Sequence, residues 1–113
     1  MSNSSLSLLR GTLDLLILQS LSSGTKHGYA VSEWLEATTD GTLLLEEGTL
    51  YPALHRLERK GWIEAEWGLS DNNRRAKYYR LTSSGRRRLH EETASWSRYA
   101  EAVAKALSAG SAG

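Results

Sequence analysis

The side chains of this 113-residue chain that are equipped for chemistry are cationic and clustered, and they point to binding rather than catalysis. Arg56, Arg59 and Lys60 form one group, Arg74, Arg75 and Lys77 a second, and Arg86, Arg87 and Arg88 a third. Guanidinium and ammonium groups at this density recognise phosphate, because each brings several N–H donors along with its charge. Nucleophilic and metal chemistry have no comparable footing. The chain has no cysteine, no G-x-S-x-G elbow, no Walker loop and no H-E-x-x-H, and His27, His55 and His90 stand at least 28 positions apart. A metal sensor would need clustered histidines and carboxylates, which the sequence does not place together. No enzymatic activity, no cofactor and no metal are expected.

The formal net charge of +1 hides a strong polarity along the chain. Residues 1–50 sum to −4, residues 51–88 to +6 and the remainder to −1. A polyanion feels that local field and not the total. With 40% hydrophobic and 24% charged residues, the composition is that of one soluble domain with one appended element. The lack of cysteine excludes a disulfide scaffold and fits a reducing cytoplasm. The longest apolar run, Leu15 to Leu18, is too short to cross a membrane, and Met1 to Arg10 lacks the pattern of a signal peptide.

Elements that position the cations follow from periodicity. Leu9, Leu13, Leu16, Ile17 and Leu21 keep helical spacing, with Leu8, Leu15 and Leu18 on a second stripe. A helix apolar on two sides is expected to be buried between its own core and another subunit. After Ser22, Ser23 and Gly24, a second helix is expected from about His27 to Thr38, with Val31, Trp34, Leu35 and Thr38 on one face. Asp40 and Gly41 make a turn, and Leu43 to Leu45 read either as a brief strand or as a buried entrance to the next helix. In the third helix Leu50, Ala53, Leu54 and Leu57 face inward, Gly61 ends it, and the opposite face reads Tyr51, Pro52, His55, Arg56, Arg59 and Lys60. Pro52 has no N–H to donate, which places the helix onset between Glu47 and Tyr51.

Trp62 to Trp67 and Arg75 to Leu81 alternate as strands around a polar turn, Gly68 to Asn73, so they predict a β-hairpin with Arg74, Arg75 and Lys77 following its tip. Thr82 and Ser84 offer caps for a last helix to about Leu107, striped by Leu89, Trp96, Tyr99, Val103 and Leu107. At about 1.5 Å per residue such a helix outruns the small domain before it. Its stripe must therefore meet another chain, and a homodimer is expected. The expected division is a flexible start (1–7), a winged helix-turn-helix DNA-binding domain (8–81), a dimerisation helix (82–107) and a flexible tail (108–113).

Three helices and a basic hairpin in this order define a mainly α (α+β) winged helix-turn-helix, whose third helix fits the major groove of double-stranded DNA while the hairpin follows the backbone or the minor groove. The competing reading is a winged helix whose third helix binds a protein. Arg86, Arg87 and Arg88 oppose the dipole of the last helix. They call either for a phosphate or, as the simpler reading, for ion pairs with Glu91 and Glu92.

The stretches "GTLDLLIL" from Gly11, "HGYAV" from His27, "GTLYPALHRLERKGWIEAEWG" from Gly48 and "NNRRAKYYRLTSSG" from Asn72 make the chain resemble the PadR family of transcriptional regulators, in particular its short, acidobacterial-type members. The resemblance spans about residues 9 to 107. It implies a dimeric winged-helix repressor, dimerised through its first and last helices, with Leu15 and Leu18 on the first. In some relatives flat aromatic compounds bind between subunits, which makes a small planar aromatic effector a possible partner. Carried over by position, Thr49, Tyr51, Pro52, His55 and Arg56 lie at the front of the recognition helix. Thr49 and Tyr51 then suit phosphate contacts, with packing against the wing as the alternative for Tyr51. His55 and Arg56 suit base edges or nearby phosphates, with a bystander role as the alternative for His55. Arg74, Arg75 and Lys77 match the basic wing. Trp96 reads either as plain interface packing or as the wall of an effector site.

Overall fold

The computed structural model describes residues 12–111, and within them the chain forms α1 (Leu13–Ser20), β1 (Lys26–His27), α2 (Gly28–Thr38), α3 (Glu47–Arg59), β2 (Ile63–Leu69), β3 (Arg75–Leu81) and α4 (Ser83–Ser111). The leucine spacing that predicts the helices also closes the core. Ile17, Leu18 and Leu21 of α1 and its end meet Val31 and Leu35 of α2 and Leu50, Leu54 and Leu57 of α3, all essentially inaccessible to solvent. The hairpin closes this cluster from below with Ile63, Tyr79 and Leu81. Burial of each such side chain contributes about 1.5–3 kcal/mol relative to exposure.

The sheet is antiparallel with order β1-β3-β2, and Ile63 pairs with Leu81 at one end and Leu69 with Arg75 at the other. Periodicity does not reveal β1, which is two residues long and pairs Lys26 with Tyr79 and His27 with Tyr78. Of the two readings for Leu43 to Leu45, the entrance prevails: Leu43 makes an isolated bridge and Leu45 is buried just before α3. The hairpin is longer than its predicted first strand, because pairing continues through Gly68 to Leu69 and leaves residues 70–74 for the turn.

The two helix stops are built alike. At the end of α3 the Gly61 N–H donates to the Glu58 carbonyl (3.0 Å) and the Trp62 N–H to the Leu57 carbonyl (3.1 Å), with Gly61 at φ +77°. This double closure satisfies carbonyls that the helix itself leaves unpaired. At the end of α2 the left-handed position is taken by Asp40 (φ +53°), and the Gly41 N–H closes on the Glu36 carbonyl at 2.8 Å. α3 begins at Glu47, the early limit that Pro52 allows, and Pro52 itself is exposed within the helix.

Two expectations for the dimer face are corrected. Leu18 does not lie on an outer stripe of α1. It is fully buried in the chain's own core, because the start of α4 packs across α1 and covers it; Leu15 is only half-buried, and Leu8 and Leu9 lie outside the described residues. Leu89 likewise packs against the core of its own chain, so the apolar stripe of α4 divides into an internal anchor and an outer part. α4 also runs on to Ser111, past the predicted end at Leu107, consistent with the helix-favouring alanines of its last turns.

α4 is seated on the end of α3. The Thr82 hydroxyl accepts from the Gly85 N–H (3.0 Å) and donates to the Gly61 carbonyl (2.6 Å), while the Ser84 hydroxyl donates to that same carbonyl (3.0 Å). Thr82 is thus the cap, and Ser84 fastens it to the neighbouring turn. Gly85 lies so close to Trp62 that a Cβ there would stand 1.9 Å from the Trp62 carbonyl oxygen. We expect Gly85→Ala to lower stability by about 1–3 kcal/mol, as forced overpacking does. The measurement is the urea midpoint by circular dichroism; an unchanged midpoint would show that α4 is not held to Trp62.

Candidate nucleic-acid interface

With Leu50, Ala53, Leu54 and Leu57 turned inward, the centre of the outward face of α3 is Gly48, Pro52, His55 and Arg59, all exposed. Thr49 is exposed beside them. The six-residue face expected from the sequence is split by its neighbours. Tyr51 lies toward the hairpin, its ring against Gly28, where a Cβ would come within 2.6 Å of the ring. Arg56 lies toward α1, where it donates to the Asp14 carboxylate. Lys60 holds its ammonium 4.8 Å from the centre of the Trp62 ring. Arg56 and Lys60 are therefore engaged within the chain, whereas Arg59 is exposed with no ion pair among the described residues.

The hairpin has two unlike faces, a consequence of strand alternation. On one face Ile63, Tyr79 and Leu81 enter the core, and farther out the same face presents Trp67, Leu69, Arg75 and Lys77. The Arg75 guanidinium lies 4.6 Å from the Trp67 ring centre, and Lys77 is 3.4 Å from the Glu58 carboxylate of α3. Lys77 thus ties the wing to the helix and is only half-exposed, while Arg74 is exposed in the turn. On the other face Arg80 bridges Glu64 (2.8 Å) and Glu66 (3.3 Å). Tyr78, also on that face, covers Gly68 and donates to the Leu69 carbonyl at 3.0 Å, which stiffens the outer hairpin.

Between α3 and the inner face of the hairpin lies an open cleft of about 680 Å³. Tyr51, His55, Arg75 and Lys77, four of the residues predicted for binding, line it. So do His27, Tyr29 and Trp67, which the search for cations passed over. His27 caps α2 by accepting the Ala30 N–H on Nδ1 (3.2 Å), which leaves Nε2 to donate. Burial, and then the Glu47 carboxylate, push the Tyr51 phenol above its ordinary value, and burial with Glu58 and Tyr51 does the same to Tyr79. Both phenols remain protonated hydrogen-bond donors at neutral pH, as a phosphate requires.

Of the three arginines that open α4, Arg88 finds the ion pairs expected, with Glu92 at 2.6 Å and Glu91 at 3.8 Å, and it also lies 4.8 Å from the Trp62 ring centre. Arg86 and Arg87 are exposed and make no ion pair among the described residues. No group of three or more His, Asp or Glu among the described residues is placed to hold a metal, and no described helix is long and apolar enough to cross a membrane.

Three helices with a three-stranded sheet, a hairpin wing and a long final helix make this a winged helix-turn-helix protein. Residues 17–91 match the transcriptional regulator PadR-like family, and the chain belongs to it. Members of that family regulate transcription and are not enzymes. A transcriptional regulator from Clostridium thermocellum superposes with a TM-score of 0.78 at 32% identity, over 85% of this chain and 93% of that one. A PadR-like transcriptional regulator from Bacillus cereus does so at 0.75 and 30%, over 88% and 94%. A Mycobacterium tuberculosis transcriptional regulator is 38% identical over 68 residues, which are 60% of this chain and 50% of that protein.

The Asp14–Arg56 pair makes a prediction about the interface. Both side chains are partly exposed, so loss of the pair should cost no more than about 1 kcal/mol of stability. Asp14→Asn removes a negative charge and frees a cation, and non-specific DNA affinity at low salt should rise about two- to fivefold by fluorescence anisotropy. Unchanged affinity would place Arg56 out of reach of DNA.

Proposed function

We propose that the chain is a DNA-binding repressor that acts in the cytoplasm as a homodimer on an inverted repeat. α3 enters the major groove and the hairpin follows the adjoining backbone. The observation that carries this reading is the sorting of charge around one cleft. His55 of α3 and Arg75 of the wing line it, with Arg59 and Arg74 exposed on the same two elements, while Glu64 and Glu66 are turned to the far face and paired with Arg80. Gly48 fits the same reading: nothing lies within 4 Å of where its side chain would be, so this part of the outward face of α3 stands open to a partner.

Base reading falls to His55 and Arg59 at the centre of the outward face, with Thr49, Tyr51 and Pro52 at the backbone beside them. If about half of the ten cations in residues 51–88 of each subunit touch phosphate, log K should fall with log salt at a slope near −9. Arg75→Ala should weaken binding to all sequences alike and flatten the slope. Arg59→Ala should cost about 1–3 kcal/mol on the preferred site selected from genomic fragments, and little on random DNA. Salt-independent binding, or none to any duplex at low salt, would transfer the basic face to a protein partner.

The dimer rests on α4. Beyond its anchor at Leu89, the helix leaves Trp96 38%, Tyr99 63%, Val103 37% and Leu107 69% exposed on one stripe. A second copy is the partner that such a self-complementary stripe fits best. The Trp96 and Tyr99 rings, 5.9 Å apart, make the place beside the two-fold axis where a planar aromatic effector would bind. Sedimentation of the full chain at micromolar concentration should give a dimer, and truncation after Leu89 a monomer or insoluble protein. A stable full-length monomer would refute the assignment of α4.

A further inference from the structure

The cleft between α3 and the hairpin is richer in aromatic rings than duplex binding explains. Tyr29, Tyr51, Trp67 and Tyr79 all line it, and the first three are 53%, 40% and 57% exposed. Bases in a duplex are paired and stacked, so a docking protein meets phosphates, sugars and base edges but no free base face. Half-exposed rings beside cations, in contrast, are the means by which proteins hold unpaired nucleotides, the base stacking on a ring and the phosphate meeting a cation. Both parts are present here. Arg75 already lies over the Trp67 ring, 4.6 Å from its centre, so one indole face carries a cation and the other is left for a base, and Lys77 stands 5.8 Å from the Tyr79 ring centre. No aspartate or glutamate is among the lining residues, and the carboxylate nearest its cations, Glu58, is paired with Lys77 and leaves Arg75 unopposed. Its volume of about 680 Å³ is in the range of small-ligand sites and exceeds the needs of a lone phosphate.

We propose that this cleft is a nucleotide site, which takes an unstacked base against Trp67 and Tyr29 and its phosphate at Arg75. The base and phosphate are supplied either by a single strand or by a free mononucleotide, and in both cases occupancy excludes duplex DNA from the same cations. The site shares Arg75 with the duplex-binding reading and stands without it.

The test compares, for the full-length protein, a labelled thymidylate strand of about twelve nucleotides with an abasic strand of equal length and charge. Anisotropy should show the thymidylate strand bound about tenfold more tightly. Trp67→Leu should erase that difference while the abasic strand still binds, a pattern that general unfolding does not produce. Tyr29→Leu should reduce it, as a second variant at an exposed position. Equal affinity for the two strands overturns the proposal, whatever the duplex does. Duplex binding with no base dependence leaves the repressor reading standing alone, and base-dependent strand binding without duplex binding does the reverse. Displacement of the strand by thymidine monophosphate assigns the site to free nucleotides as well; base-dependent strand binding without displacement assigns it to the polymer.

Discussion

Everything in this molecule that faces outward depends on one seam, where the first turn of α4 sits on the end of α3. Gly61 turns the chain back, its carbonyl receives the Thr82 and Ser84 hydroxyls, and the Trp62 carbonyl accepts the Thr82 N–H at 3.1 Å. The missing side chain at Gly85 lets the two backbones approach this closely. The seam fixes the direction of α4 and anchors both strands of the hairpin, since Trp62 precedes β2 and Thr82 follows β3. α3, the hairpin and α4 thus share one rigid origin. Trp62 adds to it by carrying the Lys60 ammonium and the Arg88 guanidinium, each 4.8 Å from its ring centre.

Around this origin the cations fall into two populations. Arg56, Lys60, Lys77, Arg80 and Arg88 are engaged within the chain, with Asp14, Trp62, Glu58, the Glu64–Glu66 pair and Glu92 respectively. Arg56 ties α3 to α1 and Lys77 ties the hairpin to α3, while Arg80 acts within the hairpin and Arg88 within α4. Arg59, Arg74, Arg75, Arg86 and Arg87 make no ion pair among the described residues, and Arg75 rests on the Trp67 ring. Exposed ion pairs are individually weak, so the first population sets geometry more than stability. The second leaves its charge open to solvent. A count of basic residues overstates that charge, because it does not distinguish the two.

The helices and the hairpin were legible because leucine spacing and strand alternation are local signals. So was Gly61, where a glycine follows an apolar helical run. Contacts set only by docking were not legible. Nothing local announces that Arg56 will meet Asp14, 42 positions away, or that Leu18 will be covered by α4. β1 is two residues long and exists only because β3 is there to pair with it. Trp67 carried a usable signal: it alternates with Ile63 and Ala65 and so shares their face, beyond the end of the core and opposite Lys77. Charge alone does not reveal it, nor the aromatic side of the cleft.

The sheet order β1-β3-β2 leaves β2 paired on one side only. A bare strand edge is a template on which another chain can add a strand, the first step toward aggregation. Here that edge carries Glu64 and Glu66, held in place by Arg80, so an approaching copy of the same strand would bring like charge against like charge. The acidic pair on the face away from the cleft thereby guards the molecule against self-association through its wing, and removing it to make a more basic protein would open a route to insoluble assemblies.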